Sequence, residues 1–294
     1  MRSAAAIAIS ALAASAIAAG LTFAQPADPA PRTVPAPAAG AVTPPPAAPV
    51  TAAAPRITGY LTPETAPDAA VILPPAPVEG TERYAQDRAI FRATRILEGT
   101  PRWALAINDD TSAVPAMYRN FACALGANIT PETAPRLTLL LMNVGRDAGL
   151  TTINAKRIFQ RKRPFLQDAG NICIARTDAL AENPDYPSGH TTWGWSFGLI
   201  LSELAPDRST AIMTRARAFG ESRVVCGVHN ASAIEGGRSN GAGLVAALHG
   251  NPQFRADLEA SRAEVTRIRA TGPAPDAEAC RAQIALYSPT PYPY

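Results

Sequence analysis

A stretch rich in proline and alanine, from Gln25 to about Arg56, limits how much of this chain can fold. Proline fixes φ and lacks a backbone N–H donor, so a segment of this composition cannot build a packed core. It predicts a disordered linker that is extended and semi-rigid, with a reach on the order of 100 Å at ~3.1 Å per residue. A packed domain must come from residues 57–294, which have the length of one domain.

The first 24 residues have the pattern of a secretory signal peptide. They begin with Met1-Arg2, continue through an apolar, alanine-rich run and end at Thr22-Phe23-Ala24. The alternative is an uncleaved membrane anchor, which the weak hydrophobicity of alanine disfavours. No later segment has 18 consecutive apolar residues. We therefore expect a periplasmic or secreted protein with no membrane span in the mature chain.

Charge and cysteine content narrow the classes of partner and cofactor. The net charge is only +3 and no basic run is interleaved with aromatic residues, so we expect no nucleic-acid binding. The four cysteines, an even number in an exported chain, favour two disulfides over buried free thiols, and three pairings remain open. No Cys-x-x-Cys pair or carboxylate cluster is evident, so we expect no metal and no cofactor. The cysteines are Cys123, Cys173, Cys226 and Cys280.

Helical periodicity dominates the chain after residue 80, and strand signals are nearly absent. The pattern predicts an all-α protein, a single helical-bundle domain over residues 57–294 that follows the signal peptide 1–24 and the linker 25–56. Residues 57–80 predict an extended arm lying on the domain, and residues 165–187 an irregular segment. The predicted helices are 81–98, 102–110, 114–125, 137–149, 153–162, 191–204, 207–223, 230–248 and 252–270.

Three short segments together predict a site for a tetrahedral oxyanion. In the first, Lys156 and Arg163 are seven residues apart, and on a continuous helix they would share a face. In the second, Ser188 stands at the N-cap position of a helix whose free N–H groups and positive dipole end favour an anion. There Gly189 permits close approach of the backbone, and His190 can donate a proton.

The third segment supplies a further cation and a second imidazole. Arg223 offers a guanidinium, and His229 lies just before a predicted helix. The chain has three histidines, and two of them lie in these segments. Cations, N–H donors and imidazoles are what phosphoryl transfer requires for positioning and charge neutralisation.

The order of these segments resembles the three-part motif of the type 2 phosphatidic acid phosphatase superfamily, which also contains the vanadium-dependent haloperoxidases. The segments are Lys-x6-Arg-Pro at 156–164, Pro-Ser-Gly-His at 187–190 and Ser-Arg-x5-His at 222–229. Further segments, Gly-Thr-Pro-Arg-Trp at 99–103 and Ser-Arg-Val-Val-Cys-Gly at 222–227, are similar to the bacterial class A non-specific acid phosphatases.

The resemblance implies a role for each matching residue. His229 would attack phosphorus and form a phosphohistidine, and His190 would protonate the leaving alcohol. The phosphoryl oxygens would be bound by five residues: Lys156, Arg163, Ser188, Gly189 and Arg223. The substrates implied are small phosphomonoesters, and the sequence is compatible with a homo-oligomer.

One position departs from the family pattern. Four residues after the nucleophilic histidine the family has an aspartate that holds the other imidazole nitrogen, and here the chain has Ala233. Glu235 lies in the wrong helical direction to replace it, and we expect it to form an ion pair with Arg238. The open alternatives are a backbone carbonyl or a carboxylate from elsewhere, for which the candidates are Asp147, Asp109 and Asp110.

The leading hypothesis is a secreted, metal-independent acid phosphatase. A second hypothesis is a catalytically impaired homologue that binds phosphate or another oxyanion but has lost turnover together with the carboxylate at position 233. A third, which the phosphatase-like local segments disfavour, is a vanadium-dependent haloperoxidase.

Overall fold

The computed structural model describes residues 56–287, and within this range the protein is all-α, as predicted, with no β-strand. The predicted signal peptide and all of the predicted linker except Arg56 lie outside the described residues. No helix within this range is both long and apolar enough to span a membrane. The α-helices are α1 Ala69–Ile72, α2 Glu82–Thr94, α3 Pro101–Asn108, α4 Val114–Leu125, α5 Pro135–Phe159, α6 Asp178–Glu182, α7 Gly189–Leu204, α8 Ser209–Val225, α9 Ala231–Leu248, α10 Pro252–Thr271 and α11 Ala277–Ala285.

Local capping explains why several helices begin or end where the sequence predicts. Thr81 accepts a hydrogen bond from the backbone N–H of Tyr84 and caps α2, and Thr100 caps α3 in the same way. Helix α4 ends at Gly126, whose φ of 78° lies in the left-handed region that glycine adopts without a steric penalty. These caps depend on a few neighbouring residues, so they can be predicted from sequence.

The two helices predicted over 137–149 and 153–162 are wrong as separate elements. They form one helix of 25 residues, α5, which ends at Phe159 and is followed by its C-cap Gln160 with φ of 45°. Gly149 stays helical at a cost of about 1 kcal/mol relative to alanine. An apolar stripe continues on both sides of it through the buried residues Leu141, Ala148 and Ala155, and its burial offsets that cost.

Helix α7 forms the centre of the bundle and packs against α5, α8, α9 and α10. Its contact with α9 is close because glycines of α9 face it. A Cβ on Gly237 would lie 2.7 Å from the carbonyl oxygen of Ser188, and one on Gly241 would lie 2.8 Å from that of Thr192. The backbone N–H of Ser188 also donates to the carbonyl of Ala233 at 2.9 Å. The starts of α7 and α9 therefore lie side by side.

The segment 57–80, predicted as an extended arm on the domain, contains the short helix α1, which packs against α5. The side chain of Asn143 accepts hydrogen bonds from the backbone N–H groups of Thr58 and Gly59, each at 3.0 Å. Asp147 accepts from the N–H of Tyr60 at 2.8 Å. Two polar side chains of α5 thus hold the arm through its backbone, and one of them, Asp147, was a sequence candidate for the carboxylate that orients His229.

Both predicted disulfides are present, and the structure decides between the three pairings. Cys123 is bonded to Cys280, and Cys173 is bonded to Cys226. The first joins α4 to α11, a helix that the sequence analysis did not predict. The second joins the irregular segment after α5 to the residue that follows α8, and His229 lies three residues further on.

Candidate active site

The predicted site residues come together at one cavity of about 840 Å³. Six of the seven line it, and the seventh, Ser188, is fully buried and does not. The six are Lys156, Arg163, Gly189, His190, Arg223 and His229. Segments that are distant in the sequence thus form one cationic pocket.

Lys156 and Arg163 are brought together by a loop and do not share a helix face, so that prediction is wrong. Helix α5 ends at Phe159, and Arg163 has extended backbone with φ of −68° and ψ of 152°. Lys156 Nζ donates to Asn183 Oδ1 at 2.5 Å and to the carbonyl of Pro184 at 2.6 Å. Arg163 Nε donates to the carbonyl of Asn183 at 2.7 Å. The Asn183-Pro184 segment therefore places both cations.

Arg223, in the last turn of α8, presents donors without a partner. Its Nη2 lies 2.8 Å from Asp110 Oδ1. Its Nε and Nη1 are buried and have no hydrogen-bond partner among the described residues. Buried guanidinium N–H groups are rarely left unpaired, and Arg223 lines the cavity. An oxyanion in the cavity would supply the acceptors that they lack.

The start of α7 places a helix N-terminus against the cavity. Ser188 is the N-cap, and its Oγ accepts hydrogen bonds from the N–H of Thr191 at 3.2 Å and from the Thr191 hydroxyl at 3.0 Å. Gly189, the first residue of the helix, lines the cavity. The free N–H groups of this helix end, together with its positive dipole end, favour an anion there.

His190 is fixed in a single orientation by its neighbours. Its Nε2 donates to the backbone carbonyl of Asp109 at 2.7 Å, because a carbonyl can only accept. Its ring stacks on Phe219 with 4.4 Å between centroids. Burial lowers the pKa of His190 well below its usual value, and Arg223 and His229 lower it further. The nitrogen left to exchange a proton is Nδ1.

His229 is a neutral imidazole with a defined tautomer. Its Nδ1 lies 2.9 Å from Asp185 Oδ1, and its Nε2 lies 3.2 Å from Arg163 Nη1. An ionised carboxylate accepts and a guanidinium donates, so Nδ1 carries the proton and Nε2 carries the lone pair. Burial lowers the pKa of His229 well below its usual value, and the cations Arg163, Lys156 and Arg223 lower it further.

Asp185 was missed by the sequence analysis, and the three candidate carboxylates are wrong. Asp147 binds the arm, Asp109 pairs with Arg215, and Asp110 pairs with Arg223. A signal was present, since Asp185 is the acidic residue two positions before the Pro-Ser-Gly-His segment. Nothing local in the sequence shows that its side chain reaches His229, which is 44 positions away.

Glu235 and Arg238 do not form the ion pair expected from the sequence. Glu235 pairs with Arg83 of α2, and Arg238 lies 3.3 Å from Glu221 of α8. The prediction considered only residues on the same helix, whereas both side chains reach neighbouring helices.

Away from the cations, the wall of the cavity is largely apolar. It includes Val114, Leu141, Met142, Ile153 and Trp193. Met142 and Ile153 are exposed to 44% and 52%, so this wall is open to solvent. The cavity therefore joins a polar end suited to an oxyanion to an apolar side suited to an organic group. Among residues 56–287 no cluster of three His, Cys, Asp or Glu side chains could hold a metal ion.

The pocket combines three fixed cations, a helix N-terminus and two imidazoles. These are the groups that a phosphoryl-transfer site requires. Comparison with known proteins agrees, since the PAP2 superfamily profile matches residues 136–256. An acid phosphatase of Zymomonas mobilis is 38% identical over 73% of this chain and 81% of its own length.

Two further relatives carry the name non-specific acid phosphatase. The one from Providencia stuartii is 36% identical over 71% of this chain and 86% of its own length. The one from Salmonella typhimurium is 33% identical over 70% and 83%. The chain therefore belongs to the PAP2 superfamily and, within it, to the bacterial non-specific acid phosphatases.

Proposed function

We propose that this chain is an acid phosphatase that hydrolyses small phosphomonoesters through a phosphohistidine on His229. The reaction needs no metal, and the protein acts in the periplasm or outside the cell. The observation that carries the proposal is the geometry of His229. Its unprotonated Nε2 lies 3.2 Å from the guanidinium of Arg163. His229 and Arg223 both line the cavity, and two donors of Arg223 have no partner among the described residues.

The phosphoryl group binds with its oxygens on Lys156, Arg163, Arg223 and the N–H of Gly189. Ser188 contributes by capping α7, and its hydroxyl hydrogen remains available to an acceptor. Three cations compensate the charge of the phosphoryl oxygens, which is the role that metal ions fill in other phosphoryl-transfer enzymes. The fixed positions of these groups lower the barrier because little reorganisation is needed.

In the first step His229 Nε2 attacks phosphorus and the bond to the ester oxygen breaks. The leaving alkoxide takes a proton from His190, whose protonated form is favoured when a phosphate dianion lies beside it. In the second step His190, now neutral, accepts a proton from water as the water oxygen attacks phosphorus. The bond to Nε2 then breaks, which releases inorganic phosphate and regenerates both imidazoles.

Release of p-nitrophenol from p-nitrophenyl phosphate at pH 5–7 in the presence of EDTA tests the activity. We expect turnover that EDTA does not reduce, because the cations of the site are side chains. Absence of turnover above background would contradict the proposal. Phosphate or vanadate binding by calorimetry without hydrolysis would then identify an impaired oxyanion-binding homologue, and halogenation of monochlorodimedone with vanadate and peroxide would identify a haloperoxidase.

Anion binding is expected to weaken as the pH rises through neutrality. Burial lowers the pKa of Lys156 to about 7, with Arg163 adding to the shift and Asp185 opposing it. The cationic form binds anions, so affinity is retained below this pKa and lost above it. Sulfate keeps its charge over this range, and its competitive inhibition constant should rise about tenfold between pH 6 and 8. A Lys156→Arg variant should show a nearly flat profile, and an equally steep profile in that variant would contradict the assignment.

A further inference from the structure

The N-terminus of α9, which follows His229 directly, is held by carboxylates from other parts of the chain. The first turn of α9 contains no acidic residue, and the Asn230 side chain does not cap the helix. Asp87 of α2 accepts from the backbone N–H of Ser232 at 2.9 Å, and Asp185 accepts from the N–H of Asn230 at 3.1 Å. Carboxylates at this end satisfy free N–H groups and interact favourably with the helix dipole.

The contacts around the Asp185 carboxylate come from two neighbouring side chains, one backbone N–H and the ring of His229. It is completely buried and receives hydrogen bonds from His229 Nδ1 at 2.9 Å and from Asn230 Nδ2 at 2.9 Å. Arg161 Nη1 lies 3.5 Å from its second oxygen. Because the contacting groups of Asn230 and Arg161 can only donate, the ionised carboxylate is the form that these contacts satisfy. Burial raises the pKa of Asp185, whereas Arg161, Asn230 and Arg163 act in the opposite direction.

Arg161 fixes the position of Asp185 through both backbone and side chain. Its carbonyl accepts from the Asp185 backbone N–H at 2.8 Å. Its guanidinium lies between the two carboxylates, 2.7 Å from Asp87 Oδ2 and 3.5 Å from Asp185 Oδ2. All three side chains are buried, so their hydrogen bonds leave Asp185 little freedom to move.

We infer that Asp185 is the positioning residue for His229 and replaces, from the loop before α7, the carboxylate that the family pattern has at position 233. This inference rests on the proposed function of His229 as nucleophile. The carboxylate keeps the proton on Nδ1 and so leaves Nε2 unprotonated, as a nucleophile requires. It also stabilises the positive charge that develops on the ring as the bond to phosphorus forms.

The surroundings of Ala233 are unfavourable for a carboxylate. Ala233 is completely buried and packs with Tyr186 and Ala155. The aromatic ring of Tyr186, the neighbour of Asp185, lies against α9 at Gly236. A carboxylate at position 233 would lose its water in this apolar contact and add a second negative charge near Asp185.

An Asp185→Asn variant tests the inference directly. We expect kcat to fall by about 10² to 10⁴, with KM changed by less than about threefold, because the amide no longer fixes the reactive tautomer. Arg161 keeps its contact with Asp87, so the variant does not leave that cation without a partner. The matched control is Asp147→Asn, a buried carboxylate that holds the arm and does not contact His229. It should change stability and leave kcat within about threefold of the unaltered enzyme.

The tautomer of His229 gives a readout that a purely structural role of Asp185 would not affect. ¹⁵N NMR of the unaltered protein should show His229 protonated at Nδ1 and unprotonated at Nε2. The Asp185→Asn variant should shift that population toward the Nε2-protonated form. Finding the Nε2-protonated tautomer in the unaltered protein would overturn the inference, and this measurement does not require any variant to fold.

A variant that introduces a carboxylate at position 233 supplies a complementary test. If Asp185 already orients His229, Ala233→Asp should not raise kcat and should lower stability. A severalfold rise in kcat would mean that His229 lacks an orienting group, and the inference would be wrong. A kcat for Asp185→Asn close to that of the unaltered enzyme would overturn it too. In either case an intact phosphohistidine on His229 would leave the proposed function standing.

Discussion

Replacement of His229 by alanine is expected to abolish the phosphoenzyme and to lower kcat by about 10⁴ or more. The unprotonated Nε2 of His229 lies 3.2 Å from Arg163 Nη1. In the described part of the cavity, no other imidazole nitrogen has this contact. Without the His229 imidazole, water must attack the ester directly, and only charge neutralisation by the cations remains. Removal of the nucleophile in a well-studied hydrolytic triad has an effect of this order or larger.

The measurement is trapping of ³²P from labelled substrate with an alkaline detergent quench, because the P–N bond of phosphohistidine is labile in acid. Survival of the label in base then distinguishes phosphohistidine from phosphoserine. The matched control is His190→Ala, which removes the other imidazole of the pocket. It should still form phosphoenzyme from p-nitrophenyl phosphate, since p-nitrophenolate leaves without protonation, and it should lose far more activity on alkyl phosphates. Labelled phosphohistidine that survives in His229→Ala would show that the nucleophile has been assigned to the wrong residue.

Replacement of Arg215 by methionine is expected to lower the free energy of unfolding by about 3–5 kcal/mol. Arg215 and Asp109 are both completely buried, and two hydrogen bonds join them, at 2.5 and 3.1 Å. Methionine fills a similar volume and leaves the Asp109 carboxylate without its cation. Breaking a buried pair in this way costs far more than the pair contributes when it is intact.

Urea unfolding monitored by circular dichroism measures this effect, and the melting temperature should fall by about 10 °C. The matched control is Arg269→Met, which breaks an ion pair with Asp207 whose carboxylate side chain is 62% exposed. We expect a loss below about 1 kcal/mol there, because water screens the charges. Equal losses of unfolding free energy in the two variants would show that burial of Arg215 and Asp109 does not determine the destabilisation.

The Arg215–Asp109 pair also contacts residues of the candidate active site. The backbone carbonyl of Asp109 accepts from His190 Nε2, and its carboxylate accepts from the Ser222 hydroxyl at 2.7 Å. Ser222 directly precedes Arg223. Loss of Arg215 should therefore reduce activity below the unfolding transition as well, through displacement of both His190 and Arg223.

The extents of α4 and α7 follow from local signals. Gly126 ends one helix and Ser188 begins the other, and each acts through bonds to neighbours within four residues. The continuity of α5 through Gly149 could not be predicted in this way, because it depends on apolar contacts with other helices. Local propensity favours a break there, and burial of the stripe outweighs it.

The site shows the same division between local and long-range information. Lys156, Arg163, Arg223 and both imidazoles were predicted from their chemistry and from a spacing that resembles a family motif, and they line one cavity. The shared helix face assumed for the first two is wrong. Asp185 was not identified, because its contact with His229 depends on how the loop before α7 folds against the start of α9. The sequence indicates which reactive groups are present, and the packing decides which of them meet.

The Cys173–Cys226 disulfide has a practical consequence for production of the protein. It closes a loop of 53 residues that contains the start of α7, and it ends three positions before His229. Disulfides form in oxidising compartments and are rare in a reducing cytosol. A preparation from cytosolic expression would carry thiols at both positions. Its specific activity would then depend on the fraction of molecules in which this disulfide has formed, as well as on the intrinsic kcat.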